Sequence, residues 1–261
     1  MRADQLLVER GLAASRSQAV RLIAGGLRWR DAGSGDAWRN VVKNKDDVPE
    51  SAELELVDAA EARYVSRGGL KLEGALAASG IDPAGWLCLD VGQSTGGFTD
   101  CLLQRGAARV VGVDVGHGQL HARLREDERV VAIEGINARA LSADDLGEEG
   151  DEDGPRFDLI VGDLSFISLT LVLPAVVGFM ADEGRLLMLV KPQFELQPGQ
   201  IGKGGIVRDD ALYAVVEKRL RDACDALGLR VLQWFDSPIA GGDGNREFFI
   251  HAVRAVQTNG S

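Results

Sequence analysis

Between positions 90 and 100 the chain reads Asp90-Val91-Gly92-Gln93-Ser94-Thr95-Gly96-Gly97-Phe98-Thr99-Asp100, a glycine-rich turn that leaves an apolar stretch at 86–91. Glycines let a backbone pass close to a ligand and aim amide N–H groups at it, and Ser94 and Thr95 are expected to cap the helix that follows. Asp114 closes the next apolar stretch, 110–113, about 20 positions on, where a carboxylate can grip two ribose hydroxyls. A dinucleotide stays open on these residues alone. The spacing Gly92-x-Ser94-x-x-Gly97, however, lacks the three-glycine fingerprint that accompanies a pyrophosphate. S-adenosylmethionine, which has a ribose and no phosphate, suits the turn better.

Two more polar residues sit where apolar runs end. Lys191 closes Leu186-Leu187-Met188-Leu189-Val190, so its stem is expected to be desolvated while its ammonium head works at a site. Asp163, in Gly162-Asp163-Leu164-Ser165-Phe166, reads equally well as a helix cap.

The elements that would carry these groups alternate. Strand patterns fall at 86–91, 109–114, 129–133, 157–162, 185–191, 229–236 and 246–254, with helical patterns between most of them. That alternation predicts an α/β fold: a seven-stranded, mostly parallel, Rossmann-like sheet with helices on both faces. Ligands in such sheets sit at the carboxyl ends of the strands. Asp90, Asp114, Asp163 and Lys191 all fall at strand ends, so they are expected to converge on one edge of the sheet.

The charge is uneven. The chain of 261 residues has a net charge of -11, yet residues 1–45 carry nine basic and four acidic side chains. Much of the acidity lies in 144–153, where seven of ten residues are Asp or Glu, a composition that predicts a solvated, mobile surface loop. The basic head reads as a short helix at Leu6-Leu7-Val8 closing on Gly11, then a helix capped by Ser15 and running through Ile23 to Gly25-Gly26. A strand pattern follows at 52–57, and 29–40 reads as irregular. Arg16 and Arg21 ride on the second helix and Arg28 follows it. The bland reading is an ordinary solvated face; the charge contrast favours a polyanion.

The odd set Cys88, Cys101 and Cys224, in apolar surroundings, predicts buried thiols rather than disulfides or a zinc site. His117 and His121 could share a helix face, but no further ligand completes a metal site, and none is expected. No apolar run approaches the roughly 20 residues of a membrane span, and the N-terminus has no signal-like apolar stretch, so a cytoplasmic location is expected.

Arg2-Ala3-Asp4-Gln5-Leu6-Leu7-Val8-Glu9-Arg10-Gly11-Leu12-Ala13-Ala14-Ser15-Arg16-Ser17-Gln18-Ala19 resembles the alpha-L RNA-binding motif of a small-subunit ribosomal protein, pseudouridine synthases and tyrosyl-tRNA synthetases. Followed by Tyr64-Val65-Ser66-Arg67-Gly68-Gly69-Leu70-Lys71-Leu72 and the glycine turn, the chain resembles the TlyA family from Arg2 to about Ala255. That family's members have been called hemolysins, and its better-supported activity is 2'-O-methylation of cytidine in ribosomal RNA. Its catalytic domain is similar to the FtsJ (RrmJ) ribose methyltransferases.

The resemblance implies an RNA-binding domain at 1–60, a linker at 61–67 and a methyltransferase domain at 68–261. It implies a catalytic set of Lys71, Asp163, Lys191 and Glu247; alone, Lys71 would read as a surface lysine and Glu247 as a strand-edge charge. Asp163 would position Lys191, while Lys71 and Glu247 orient the hydroxyl. The S-adenosyl-L-methionine pocket would be lined by Asp90, Gly92, Ser94, Thr95 and Gly97, with Asp114 on the ribose and Asn137 near the adenine. Gln93 stands where the family usually has a small residue. Arg2, Arg16, Arg21, Arg28, Arg67 and Lys203 would meet RNA, Lys203 from a flexible glycine-rich loop at 200–208. The implied partner is ribosomal RNA or a ribosomal subunit, the large one expected from the short ends of the chain and the small one a second candidate.

Three other readings compete. A membrane-acting toxin is opposed by the acidic body and the lack of a cationic amphipathic helix. A non-catalytic RNA-binding protein would show an altered catalytic set, and a small-molecule methyltransferase would not need the basic head. RNA binding that weakens with salt and vanishes without residues 1–60 separates these.

Overall fold

The computed structural model describes residues 1–13, 15–56, 63–147, 154–241 and 244–255. It divides into two compact units, Met1–Leu70 and Lys71–Ser261, so the division falls a few residues beyond the expected linker.

In the first unit, α1 (Ala3–Glu9) and α2 (Arg16–Ala24) precede a three-stranded antiparallel sheet of β1 (Leu27–Arg30), β2 (Arg39–Val41) and β3 (Glu53–Leu56), in the order β2-β1-β3. The Ser15 hydroxyl accepts the Gln18 N–H at 3.2 Å and starts α2, as its position foretold. Leu6, Leu7, Leu22, Ile23, Leu27 and Val41 close the small core. The irregular reading of 29–40 is corrected at both ends: Leu27 pairs with Val41 and Trp29 with Arg39, so only 31–38 is loop. Strands of three and four residues among glycines and aspartates are too short for an alternation to register. Val57, the last residue of the strand expected at 52–57, lies outside the described residues, as do 61–62 of the linker and 148–153 of the acidic loop.

In the second unit the elements run α3 (Gly68–Ser79), β4 (Leu87–Val91), α4 (Gly97–Gln104), β5 (Arg109–Asp114), α5 (Ala122–Arg125), β6 (Val130–Glu134), β7 (Phe157–Gly162), α6 (Leu169–Val176), β8 (Met180–Val190), α7 (Pro192–Glu195), α8 (Ala211–Ala226), β9 (Leu229–Asp236) and β10 (Phe248–Arg254). Helix α3 begins in the first unit and continues into this one. The sheet order is β6-β5-β4-β7-β8-β10-β9. Strands β6 to β8 are parallel, and β10 pairs antiparallel with both β8 and β9. Leu89, Ile160, Leu186 and Met188 are fully buried, as befits central strands covered on both faces.

The chain steps from β4 outward to β6 and then returns to the other side of β4 with β7. This topological switch opens the crevice beyond the carboxyl ends of β4 and β7, where the glycine turn and Asp163 lie side by side. Strand β8 starts earlier than expected because Met180 already pairs with Phe157, ahead of a register shift. Lys191, expected as the last strand residue, instead occupies the N-cap position of α7, where Pro192 ends the strand.

Candidate active site

Four charged groups from four parts of the second unit meet in two pairs. Lys71, in the first turns of α3, hydrogen-bonds through its Nζ to Glu247 Oε2, and both side chains are buried. Lys191 Nζ lies 2.5 Å from Asp163 Oδ1 and donates to Ser165 Oγ at 2.9 Å. Strand register explains the convergence. Phe248 pairs with Val190, so Glu247 and Lys191 stand one residue beyond the last rung of the β8–β10 ladder. Asp163 follows Gly162, which pairs with Met188 on the other side of β8. Burial pushes the Glu247 carboxyl up, against the pull of Lys71 and Lys191.

Beside the pairs the backbone is strained. Phe166 has φ +64, a left-handed conformation unusual for a bulky residue, and is 91% exposed. Its ring lies 5.1 Å from that of Phe194. Both line a cleft of about 500 Å³ that Asn137, Arg139 and Ser168 also border.

The glycine turn is held from two sides. Gly92 has φ +85, and a Cβ there would come within 2.9 Å of the Asp163 carbonyl oxygen, so only glycine allows this approach. On the outer side, Asp114 accepts the Ser94 N–H at 2.8 Å through Oδ2 and the Gly116 N–H at 2.7 Å through Oδ1. Each oxygen keeps a lone pair for a further donor. The expected capping by Ser94 and Thr95 does not occur. Gly96, at φ +92, is the N-cap of α4 and no side chain caps it, while the Ser94 hydroxyl donates to Gln119 at 3.2 Å. The turn needs three residues in the left-handed region before the helix starts, and this aims the Ser94 side chain elsewhere.

Asp90 lies beneath the turn rather than on its surface. It is 1% exposed, and its Oδ2 accepts both the Thr99 N–H at 3.0 Å and the Thr99 hydroxyl at 2.7 Å. Burial, reinforced by Asp163 and Asp114 and opposed by Thr99, pushes its carboxyl up to about 7. Gln93 also points inward, with only 6% exposure. Gly97 opens α4, and Thr95 accepts the His121 N–H at 3.3 Å through its carbonyl oxygen. Asn137, exposed beyond β6, accepts the Arg139 N–H at 3.1 Å and starts a 3-10 turn at Ala138–Ala140.

Several expectations are corrected. His117 and His121 do not share a helix: His117 sits in a bend, and His121 caps α5 by accepting the Arg123 N–H at 3.2 Å. The loop at 200–208 is fastened, not free. Asn245, buried two residues before Glu247, accepts from Val207 N–H and donates to Gly205 O, each at 3.0 Å, and Gly202 N–H reaches Ile206 O at 2.9 Å. Lys203 stays exposed on it. Reasoning from sequence missed Ser165, Thr99 and Asn245. Small polar residues whose hydrogen-bond partners come from distant segments leave no spacing to read, although Ser165 lies two residues from Asp163.

The basic head is partly neutralised within itself. Arg2 makes a two-pronged contact with buried Asp4, and Arg16 reaches the same carboxylate at 3.4 Å. Arg28 faces Glu55 at 2.8 Å across β1 and β3, and Arg21 donates to Ser17 O at 3.3 Å. Exposed pairs of this kind contribute roughly 0–1 kcal/mol. Arg67 lies in the turn just before α3.

Among the described residues no group of His, Cys, Asp and Glu could hold a metal, and no helix is long and apolar enough to cross a membrane. Cys88, Cys101 and Cys224 are buried free thiols.

A mostly parallel sheet with its switch at β4, a glycine turn there and a carboxylate closing the next strand define a Rossmann-like α/β class. The chain belongs to the FtsJ-like methyltransferase family, which it matches over residues 64–254. It is 45% identical over 249 residues to the Mycobacterium tuberculosis 16S/23S rRNA (cytidine-2'-O)-methyltransferase TlyA, covering 95% of this chain and 88% of that one. It is 38% identical to hemolysin A of Brachyspira hyodysenteriae, covering 97% and 100% of the two chains. A solved structure from Streptococcus thermophilus, named there as a candidate hemolysin, superposes with a TM-score of 0.73 at 38% identity, over 98% of this chain and 89% of that one.

Proposed function

We propose that this protein transfers a methyl group from S-adenosylmethionine to the ribose 2'-oxygen of a cytidine in ribosomal RNA. The convergence of Lys71, Asp163, Lys191 and Glu247 beside the glycine turn carries this reading. The residues present suit the cofactor: Gly92 makes room for close approach, and Asp114 keeps acceptor capacity on both oxygens for a ribose diol. Ser94, Thr95 and Gly97 would line the pocket along the turn, Asn137 would stand near the adenine, and Asp90 would support the turn from beneath. When bound, the cofactor supplies an electrophilic methyl carbon on a sulfonium.

This chain's own groups then have to orient and deprotonate a weak nucleophile. The step uses the free-amine form of Lys191, reached when its resting proton leaves to solvent: the amine takes the 2'-hydroxyl proton as the oxygen–carbon bond forms, and the resulting ammonium is again held by Asp163 and donates to the Ser165 hydroxyl. Glu247 and Lys71 hold the ribose hydroxyls from the other side of Lys191. An exposed ring at Phe166, next to Ser165, suits an unstacked base, since RNA nucleotides taken out of a helix are stacked on aromatic side chains. Arg2, Arg16, Arg21, Arg28, Arg67 and Lys203 would supply the phosphate contacts.

The Mycobacterium tuberculosis relative is named for both subunits. The proposed substrate of this chain is the large subunit, with the small one second. Transfer of a labelled methyl group to each unmodified subunit, with wild type and Lys191→Ala, tests the reading. The expected label sits on a ribose 2'-oxygen and disappears in the variant. Cofactor binding with no label on any RNA would overturn it.

A further inference from the structure

We infer that Gln93 is a positioning residue for the cofactor turn: its side-chain amide, packed over Gly112, fixes the Thr99 hydroxyl on Asp90 and so sets the shape of the loop from Gly92 to Gly96. The inference rests on the reading of this turn as the cofactor site.

Asp90 and Gly112 are direct neighbours in the parallel ladder of β4 and β5. Gly112 has no side chain, and the Gln93 amide fills the space above it. A Cβ at position 112 would lie 2.0 Å from the amide carbon and nitrogen of Gln93. From there Gln93 Nε2 donates to Thr99 Oγ1 at 2.9 Å. A hydroxyl has one hydrogen. Accepting from Gln93 on one side, Thr99 turns that hydrogen to Asp90 Oδ2 at 2.7 Å, alongside its own backbone N–H at 3.0 Å. All three side chains are buried, so no solvent substitutes for a lost partner.

The chain of bonds joins the end of β4 to the first turn of α4 across the turn between them. Gln93 is itself a turn residue, with its backbone N–H on Val113 O at 3.2 Å and its carbonyl accepting the Gly96 N–H at 2.8 Å. Its side chain therefore braces the turn from beneath while Asp114 holds Ser94 from the outer side. A small residue at position 93 could neither fill the space above Gly112 nor reach Thr99.

Gln93→Met keeps much of the volume and removes the donor; Thr99→Val keeps the shape and removes the hydroxyl. Each is expected to raise the dissociation constant for S-adenosylmethionine about tenfold, as one hydrogen bond warrants. Turnover at saturating cofactor stays unchanged. The double variant should lose no more than either single one, and Thr99→Ser should recover wild-type affinity. Unchanged cofactor affinity in Gln93→Met, or losses that multiply in the double variant, would overturn the inference while leaving the cofactor reading intact. A wild-type protein that does not bind S-adenosylmethionine would take both down. If a variant unfolds, binding of the cofactor by Gly112→Ala decides: the added methyl must displace the Gln93 amide, so undiminished affinity there also refutes the bracing role.

Discussion

Glu247 and Lys191 stand opposite one another one residue past the Phe248–Val190 rung, and each is paired with a different partner: Glu247 with Lys71, Lys191 with Asp163. The antiparallel insertion of β10 beside β8 brings together two residues 56 positions apart and alternates the four charges in sign.

The Lys71–Glu247 pair is buried, so removing one member strands the other. Lys71→Met should lose about 3 kcal/mol of stability in urea unfolding, because a buried carboxylate is left without its cation. Lys71→Met combined with Glu247→Leu should regain most of that loss and remain inactive in methyl transfer. Equal stability of the single and double variants would refute a pairing cost.

Asp90 carries a raised carboxyl, so the folded state binds a proton that the unfolded state has already released. Its stabilising effect is complete below the unfolded value near 3.8 and is lost as pH climbs through about 7. The difference amounts to about 4 kcal/mol. Asp90→Asn removes this dependence, and its stability relative to wild type should rise between pH 4 and pH 8. Parallel stability curves for the two proteins would contradict it.

His251 has the opposite sign. Its ring is buried in the sheet with Nδ1 on Gln233 Oε1 at 2.8 Å, and burial, aided by the nearby Arg185, pulls it down to about 4. The neutral ring supports the fold above the unfolded value near 6.5, and that support is lost as pH falls from there through about 4, roughly 3 kcal/mol in all. His251→Leu should flatten the acid limb of the stability curve over this window, whatever its absolute stability at neutral pH.

Phe166 buries little and sits in the left-handed region, so Phe166→Gly should leave stability equal or raise it by about 1 kcal/mol. Stacking on a nucleobase is worth about 1–3 kcal/mol, which translates into a five- to hundredfold loss in kcat/KM for RNA. Unchanged RNA kinetics would remove this ring from the substrate site.

Much of the architecture was legible before folding. Six of the seven strand readings overlap the observed strands to within two residues at either end, because buried strands advertise themselves as apolar runs. The early start of β8 was hidden, since Ala181-Asp182-Glu183-Gly184 has no such run and is strand only through its pairing and register shift with β7. The hairpin of β1 and β2 was hidden for the same reason. The proposed catalytic set was half legible: Asp163 and Lys191 close apolar runs, whereas Lys71 on a helix and Glu247 just before β10 carry no local sign of burial and entered only through resemblance.

The order of apolar runs and the glycines between them were enough to dictate a mostly parallel sheet, a glycine turn after β4, and four polar residues delivered to one edge. These follow from local sterics and from the need to bury apolar side chains, and both are properties of neighbouring residues. Which carboxylate faces which ammonium, that Asp90 lies under the turn, and that Gln93 turns inward over Gly112 were assigned by contacts between distant segments. A hydrogen bond chooses its partner by proximity in space, and that proximity exists only once the strands are in register.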